Sequence, residues 1–256
     1  MSLFTKISLI FIFFFSSINS YAQSDDDFAD FFEVDSSISD DNIKKARLNN
    51  DPLENINRKI FKFNDYIDEK LLLPIATSYR NYTPKIIKSS FRNFLKNIKL
   101  PFSFINSVLQ GKIENSSAIS STFLINSTIG IAGIFDIAGN KYIKYNVEDF
   151  GQTLAYYKFP QGPYIVLPFF GPSNIRDFSG LVIEKLINPF DVNKFEIASK
   201  SNIITDSLKL TINSISLIDK RESLIDIISD IKVDSFDFYS TIRSSYIQNR
   251  NFEINR

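Results

Sequence analysis

The spacing of apolar residues divides the chain into helical stretches separated by Pro and Gly. Leu53, Ile56, Ile60, Phe63 and Ile67 recur at steps of three and four, the repeat of one helical face. Asp51, Pro52 and Glu54 stand where a helix start wants an N-cap, an N1 proline and an N3 carboxylate. Pro74 ends or bends this helix. Thr83 and Pro84 open the next, expected to run to about Lys99. At about 100° per residue, Lys85, Lys88, Arg92, Lys96 and Lys99 share one side and Ile87, Phe91, Phe94, Leu95 and Ile98 the other. A basic face backed by an apolar one suits anionic headgroups at a membrane interface, and it equally describes a surface helix with a solvated basic side. Pro101 is expected to begin a further short helix, Phe102 to Gln110, with Gly111 at its C-cap. Ile113 to Ile125 reads as a helix of small residues able to pack closely on a neighbour.

The most apolar stretch downstream is Ile129 to Gly139, which holds three glycines. It is too short to span a bilayer and too rich in glycine for a regular helix. Gly130, Ile131, Gly133, Ile134, Phe135 and Ile137 are candidates to line an apolar passage as a flexible hairpin, or else to fill a buried turn. The segment from Gly162 to Asp177 is bracketed by Gly-Pro pairs around Tyr164-Ile165-Val166-Leu167, so it reads as a stiff extended connector. Ser173 is placed to cap a helix beginning near Asn174. Helices are expected over Arg176 to Ile187, with a stop at Asn188-Pro189, then Lys194 to Leu217, Leu224 to Ile231 and Asp234 to Asn249. Strand patterns are scarce outside Tyr164 to Leu167, which makes the fold mainly α-helical.

The two ends and the composition narrow the picture. Residues 1–22 read as a signal peptide: Lys6 precedes the apolar run Ile7 to Phe15, and Ser20-Tyr21-Ala22 offers a cleavage site. Residues 23–50 are acidic and Ser-rich, a disordered tether interrupted by Phe28, Phe31 and Phe32. The chain has no His, which removes the usual general base, the Ser-His-Asp triad and most zinc sites. With no Cys there are no disulfides. Basic and acidic residues balance at 29 each, so nucleic acid is not an expected partner. No paired carboxylates, metal-ligand spacing, phosphate loop or Gly-x-Ser-x-Gly elbow occurs, so neither catalysis nor a cofactor is expected.

Five blocks together resemble the VacJ/MlaA family. Asp51-Pro52-Leu53-Glu54, Asn57-Arg58 and Phe61-Lys62-Phe63-Asn64 resemble its opening motif. Asn126, Thr128, Gly130, Gly133 and Phe135-Asp136-Ile137-Ala138 resemble its Gly-rich centre. Phe150-Gly151-Gln152-Thr153-Leu154 is followed by the Gly162–Asp177 block, similar to "GPYxVLPxxGPSxxRD". Tyr239, Arg243, Tyr246, Gln248 and Arg250 resemble the closing "YxxxRxxYxQxR". The blocks stand in family order.

The resemblance implies an all-α fold: a single ring-like helical domain over 51–250 with a Pro/Gly-rich extended connector, followed by a 251–256 tail. It implies passive movement of phospholipid from the outer leaflet of the outer membrane to a soluble periplasmic carrier, beside an outer-membrane porin. Lipid-path residues would come from the Gly130–Ile137 segment, and headgroup contacts from Lys85, Lys88, Arg92, Lys96 and Lys99. The family normally bears a lipidated Cys straight after its signal. This sequence offers no such attachment point, so the expectation is an outer-membrane protein on the periplasmic side, exported but not lipid-anchored. A periplasmic structural or adhesion protein acting through helix contacts would share the helical pattern, and a Ser-Lys lipid hydrolase is a third reading.

Overall fold

The computed structural model describes residues 51–187 and 202–256. The expected signal peptide, the 23–50 tether, the Asn188-Pro189 stop and the start of the Lys194–Leu217 stretch lie outside the described residues. Helix α1 (Glu54–Ile67) passes through a π turn (Asp68–Leu72) into α2 (Leu73–Tyr82), with Pro74 in the first turn of α2, where its missing N–H costs least. Helices α3 (Lys85–Leu109) and α4 (Ile113–Thr128) form an αα-hairpin across Gly111, whose φ of 72° gives the left-handed turn. A turn of helix, α5 (Gly139–Tyr142), and α6 (Phe150–Tyr156) follow. Strands β1 (Tyr164–Leu167) and β2 (Gly171–Asn174) pair antiparallel, Tyr164 opposite Asn174 and Leu167 opposite Gly171. Then come α7 (Ile175–Ile187), α8 (Asn202–Ser223), α9 (Ile225–Asp234) and α10 (Phe238–Asn255).

The mainly helical architecture and the extended Tyr164–Leu167 segment match the sequence reading, but several boundaries differ. Pro101 lies inside a continuous α3 and does not begin a new helix. The carbonyl bond it forfeits is one bond, and the neighbouring Asn97, Leu100, Phe102 and Ser103 are all buried. Thr83 makes no side-chain cap. At the connector it is Asn174, not Ser173, whose side chain accepts from the Asp177 N–H, at 2.8 Å. Helix α10 continues to Asn255 and absorbs the expected tail, since buried Glu253 pairs with Arg250 one turn earlier at 2.8 Å. Asp51 is drawn inward: it accepts from the Leu53 N–H, from Asn57 Nδ2 and from the Tyr239 hydroxyl.

The β-hairpin is anchored to α1 by side chains. Asn57 Oδ1 accepts from the Val166 N–H at 2.8 Å, and Asn57 Nδ2 donates to the Tyr164 carbonyl at 3.1 Å. Asn64 Oδ1 accepts from the Phe169 N–H at 2.8 Å, and Asn64 Nδ2 donates to the Leu167 carbonyl at 2.9 Å. Two helical turns rise about 10 Å, close to the rise of three strand residues, so both amides stay in register with the β1 edge. On the other side Arg250, buried in α10, reaches Asp177 at 2.9 Å, Asp149 at 2.7 Å and Glu253. Burial opposes its charge, but these carboxylates hold its pKa well above the ordinary arginine value. Tyr246 donates to the same Asp177 at 2.8 Å. Helices α6 and α7 touch backbone to backbone, because a Cβ on Gly180 would sit 2.7 Å from the Gly151 nitrogen.

Replacing Asn57 by Ala removes partners from a buried N–H and a buried carbonyl, and should cost about 2 to 4 kcal/mol. The exposed neighbour change Asn55→Ala should stay within about 0.5 kcal/mol. Denaturation followed by circular dichroism checks both; equal effects would mean the clamp carries no stability.

Candidate functional site

The described residues have an inverted distribution of polarity. Buried polar and charged side chains outnumber buried apolar ones, while many large aliphatic and aromatic side chains are exposed. On α3 the buried positions include Asn97, Ser103, Asn106 and Ser107, and Phe104, Ile105, Val108 and Leu109 face outward. On α7 the buried positions are Arg176, Asp177, Gly180 and Leu181, with Phe178, Val182 and Leu186 outside. The buried polar groups bind one another: Asn97 to Ser127 at 2.9 Å, and Thr153 to both Asn106 at 2.8 Å and Gln110 at 3.1 Å. Small hydroxyl and amide side chains holding helices together beneath an apolar exterior are what an apolar surrounding selects. Even so, among the described residues no helix is long and apolar enough to cross a membrane.

The Gly-rich segment after α4 is a compact series of turns tied to one residue. The Asn126 carbonyl accepts from the Gly133 N–H at 2.7 Å, its Oδ1 accepts from the Ala138 N–H at 2.9 Å, and its Nδ2 donates to Asp136 at 2.7 Å. Gly130 and Gly133 face inward, and a Cβ on Gly133 would lie 2.4 Å from Asn97 Cβ. Ile131, Ile134, Phe135 and Ile137 face outward. Ile131 and Ala132 hold φ of 52° and 57°, a conformation disfavoured for a β-branched side chain, so the tip carries strain held by the bonds around Asn126. The candidate lipid-path residues thus split into a glycine root, Gly133 against α3 and Gly130 against Asn126 of α4, and an exposed apolar tip.

The basic face of α3 is also divided. Buried Lys88 pairs with Glu222 at 2.9 Å, and Arg92 reaches Asp219 and Glu222, each at 2.7 Å. Arg80 joins from α2, with Glu222 at 3.3 Å and Asp226 at 2.7 Å. Burial would raise the Glu222 pKa, but Lys88 and Arg92 bring it below the usual carboxylate value. Lys88 and Arg92, expected to meet headgroups, are therefore engaged in joining α3 to α8. Lys85 is exposed, Lys96 lies 5.6 Å from the centre of the Tyr145 ring, and Lys99 is half-buried.

A Ser-x-x-Lys spacing exists at Ser229-Asp230-Ile231-Lys232, yet Lys232 is bound by Asp65 at 2.5 Å and Glu69 at 2.8 Å. Burial lowers its basicity, the two carboxylates outweigh that, and the amine is held protonated, the wrong state for a general base. Sequence reasoning carried Asn57 and Asn64 only as residues of the opening motif, with no role, and missed Asp219 and Glu222; the partners of all four lie far along the chain. Arg243 lies over the Tyr164 ring at 5.7 Å, while the cation over the Tyr239 ring is Arg58, at 4.4 Å.

The family model described as MlaA lipoprotein matches residues 49–253. An uncharacterised protein of Rickettsia bellii is 33% identical over 209 residues, covering 82% of this chain and 78% of the relative. The intermembrane phospholipid transport system lipoprotein MlaA of Escherichia coli K12 is 30% identical over 217 residues, covering 80% of this chain and 78% of the relative. A solved structure reported as the structural basis for maintenance of bacterial outer membrane lipid asymmetry aligns with a TM-score of 0.66 at 28% identity, over 80% of this chain and 100% of that one.

Gly133→Val would force a side chain against Asn97 at a φ of 88°. Its melting temperature should fall by several degrees, as overpacking by about 1–3 kcal/mol requires. An unchanged melt would show that the loop is free to move away from α3.

Proposed function

The chain belongs to the MlaA lipoprotein family, and we propose that it gives phospholipid a passive route from the outer leaflet of the outer membrane to a periplasmic carrier, so maintaining lipid asymmetry. The names of the relatives supply the substrate and the process. The observation that carries the reading is the apolar exterior over a hydrogen-bonded polar interior. A phospholipid leaving a bilayer exposes its chains to water at about 0.8 kcal/mol for each CH₂, so a route needs apolar contact throughout. The exposed tip at Ile131 and Phe135 is an apolar surface suited to acyl chains, and Lys85, Lys96 and Lys99 are the α3 cations for headgroups. Movement along such a route needs no catalytic group. Its direction comes from partners: a soluble carrier on the periplasmic side and an outer-membrane porin beside the body. The exposed apolar side chains of the folded body are a surface by which it can sit against the outer membrane.

Cells deprived of this chain should accumulate phospholipid in the outer leaflet. The wild-type chain should restore asymmetry, and an Ile131→Ser, Phe135→Ser double variant should restore it poorly while melting like wild type, since both side chains are exposed. Outer-leaflet phospholipid that stays unchanged when the chain is removed would refute the transport reading; full rescue by the double variant would remove the tip from the route.

A further inference from the structure

Charge on α1 is sorted by direction. Every acid of α1 and the π turn is met by a cation: Glu54 by Arg58 at 2.7 Å, Asp65 and Glu69 by Lys232, and Asp68 by Arg221 at 2.6 Å. Arg58 also turns sideways, to Asp237 at 2.6 Å. The inward face belongs to Asn57 and Asn64, which hold β1. What remains outward is Lys59, Lys62 and Lys70, all exposed, with no ion pair to a carboxylate among the described residues. Tyr66 stands between them on the same face, 61% exposed. Along one border of the lysine stripe lie Ile56 and Phe63, 56% and 46% exposed.

A stripe of lysines without ion pairs, bordered by exposed apolar side chains on a helix whose acids are all met by other cations, is complementary to a surface of phosphates lying over acyl chains. The α3 face does not meet this description, because Lys88 and Arg92 are spent on α8. We propose that the outward face of α1 docks on anionic phospholipid headgroups, Lys59, Lys62 and Lys70 meeting phosphates while Ile56 and Phe63 reach the acyl boundary. Tyr66 places its ring at that boundary and its hydroxyl toward water, the usual position for tyrosine at an interface. The surface deepens the transport reading and rests on it: it names the helix that faces the headgroup layer.

The test is flotation of the full chain with phosphatidylcholine vesicles made with or without phosphatidylglycerol. The apolar exterior will bind either kind, so the readout is the gain conferred by phosphatidylglycerol and its loss in salt. The triple variant Lys59→Gln, Lys62→Gln, Lys70→Gln should lose that gain, on the order of 100-fold in partition at low salt. Its melting temperature should be unchanged, and Lys144→Gln, at an exposed lysine outside both faces, should keep the gain. A wild-type chain indifferent to phosphatidylglycerol, as expected if this face meets an acidic protein instead, would overturn the proposal. So would a triple variant that keeps the gain. Binding through these lysines in a chain that leaves outer-leaflet phospholipid unchanged in cells would refute transport alone.

Discussion

A two-stranded ribbon leaves an edge unpaired, and here a helix supplies the partner. Asn57 and Asn64 each offer one acceptor and one donor, and between them they satisfy Tyr164, Val166, Leu167 and Phe169. A primary amide is the one small side chain that reproduces both halves of a peptide group, which is why asparagine can stand in for a neighbouring strand. Once α1 holds that edge, the hairpin brings α7 and α10 into place, because Asn174 leads into α7 and Asp177 meets Arg250. The ends of the domain are thereby joined through its middle: Asp51 accepts from Tyr239, and Arg58 meets Asp237.

That arrangement frees the exterior. Stability that a water-soluble protein would draw from an aliphatic core is here assigned to buried hydrogen bonds and ion pairs, which strengthen as the local dielectric falls. Their cost is desolvation, and breaking one partner of such a set is expected to be severe. Phe104, Ile105, Phe178 and Val182 can then face outward without weakening the interior. An apolar exterior and structural support are thus divided between the two faces of the same helices.

The same division explains what could be read from the sequence. Helix positions, the strand at Tyr164 and the Gly111 turn follow from local rules that do not depend on what surrounds the protein. Orientation does depend on it. The period through Ile56 and Phe63 marks a helix correctly, but it points inward only if water lies outside, and both residues are exposed. For α3 the basic stripe was visible; that Lys88 and Arg92 meet Glu222 and Asp219 was not, because pairing across more than a hundred residues leaves no local pattern. Pro101 misled for a related reason: a helix break is a local cost that packing against α4 overrides. In the Gly-rich loop the exposed apolar tip was anticipated as apolar, while its fixing by Asn126 needed the fold.

The central claim is that the apolar exterior meets lipid chains. The chain has no cysteine, so one introduced cysteine gives one label. Nitroxides placed by Ile105→Cys and Val182→Cys in the bilayer-reconstituted protein would report collisions with oxygen, which concentrates in the acyl region, and with a water-soluble nickel chelate. Both positions should be open to oxygen and shielded from nickel, whereas a label at exposed Asp230 should be open to nickel. Nickel accessibility at Ile105 and Val182 equal to that at Asp230 would contradict the account.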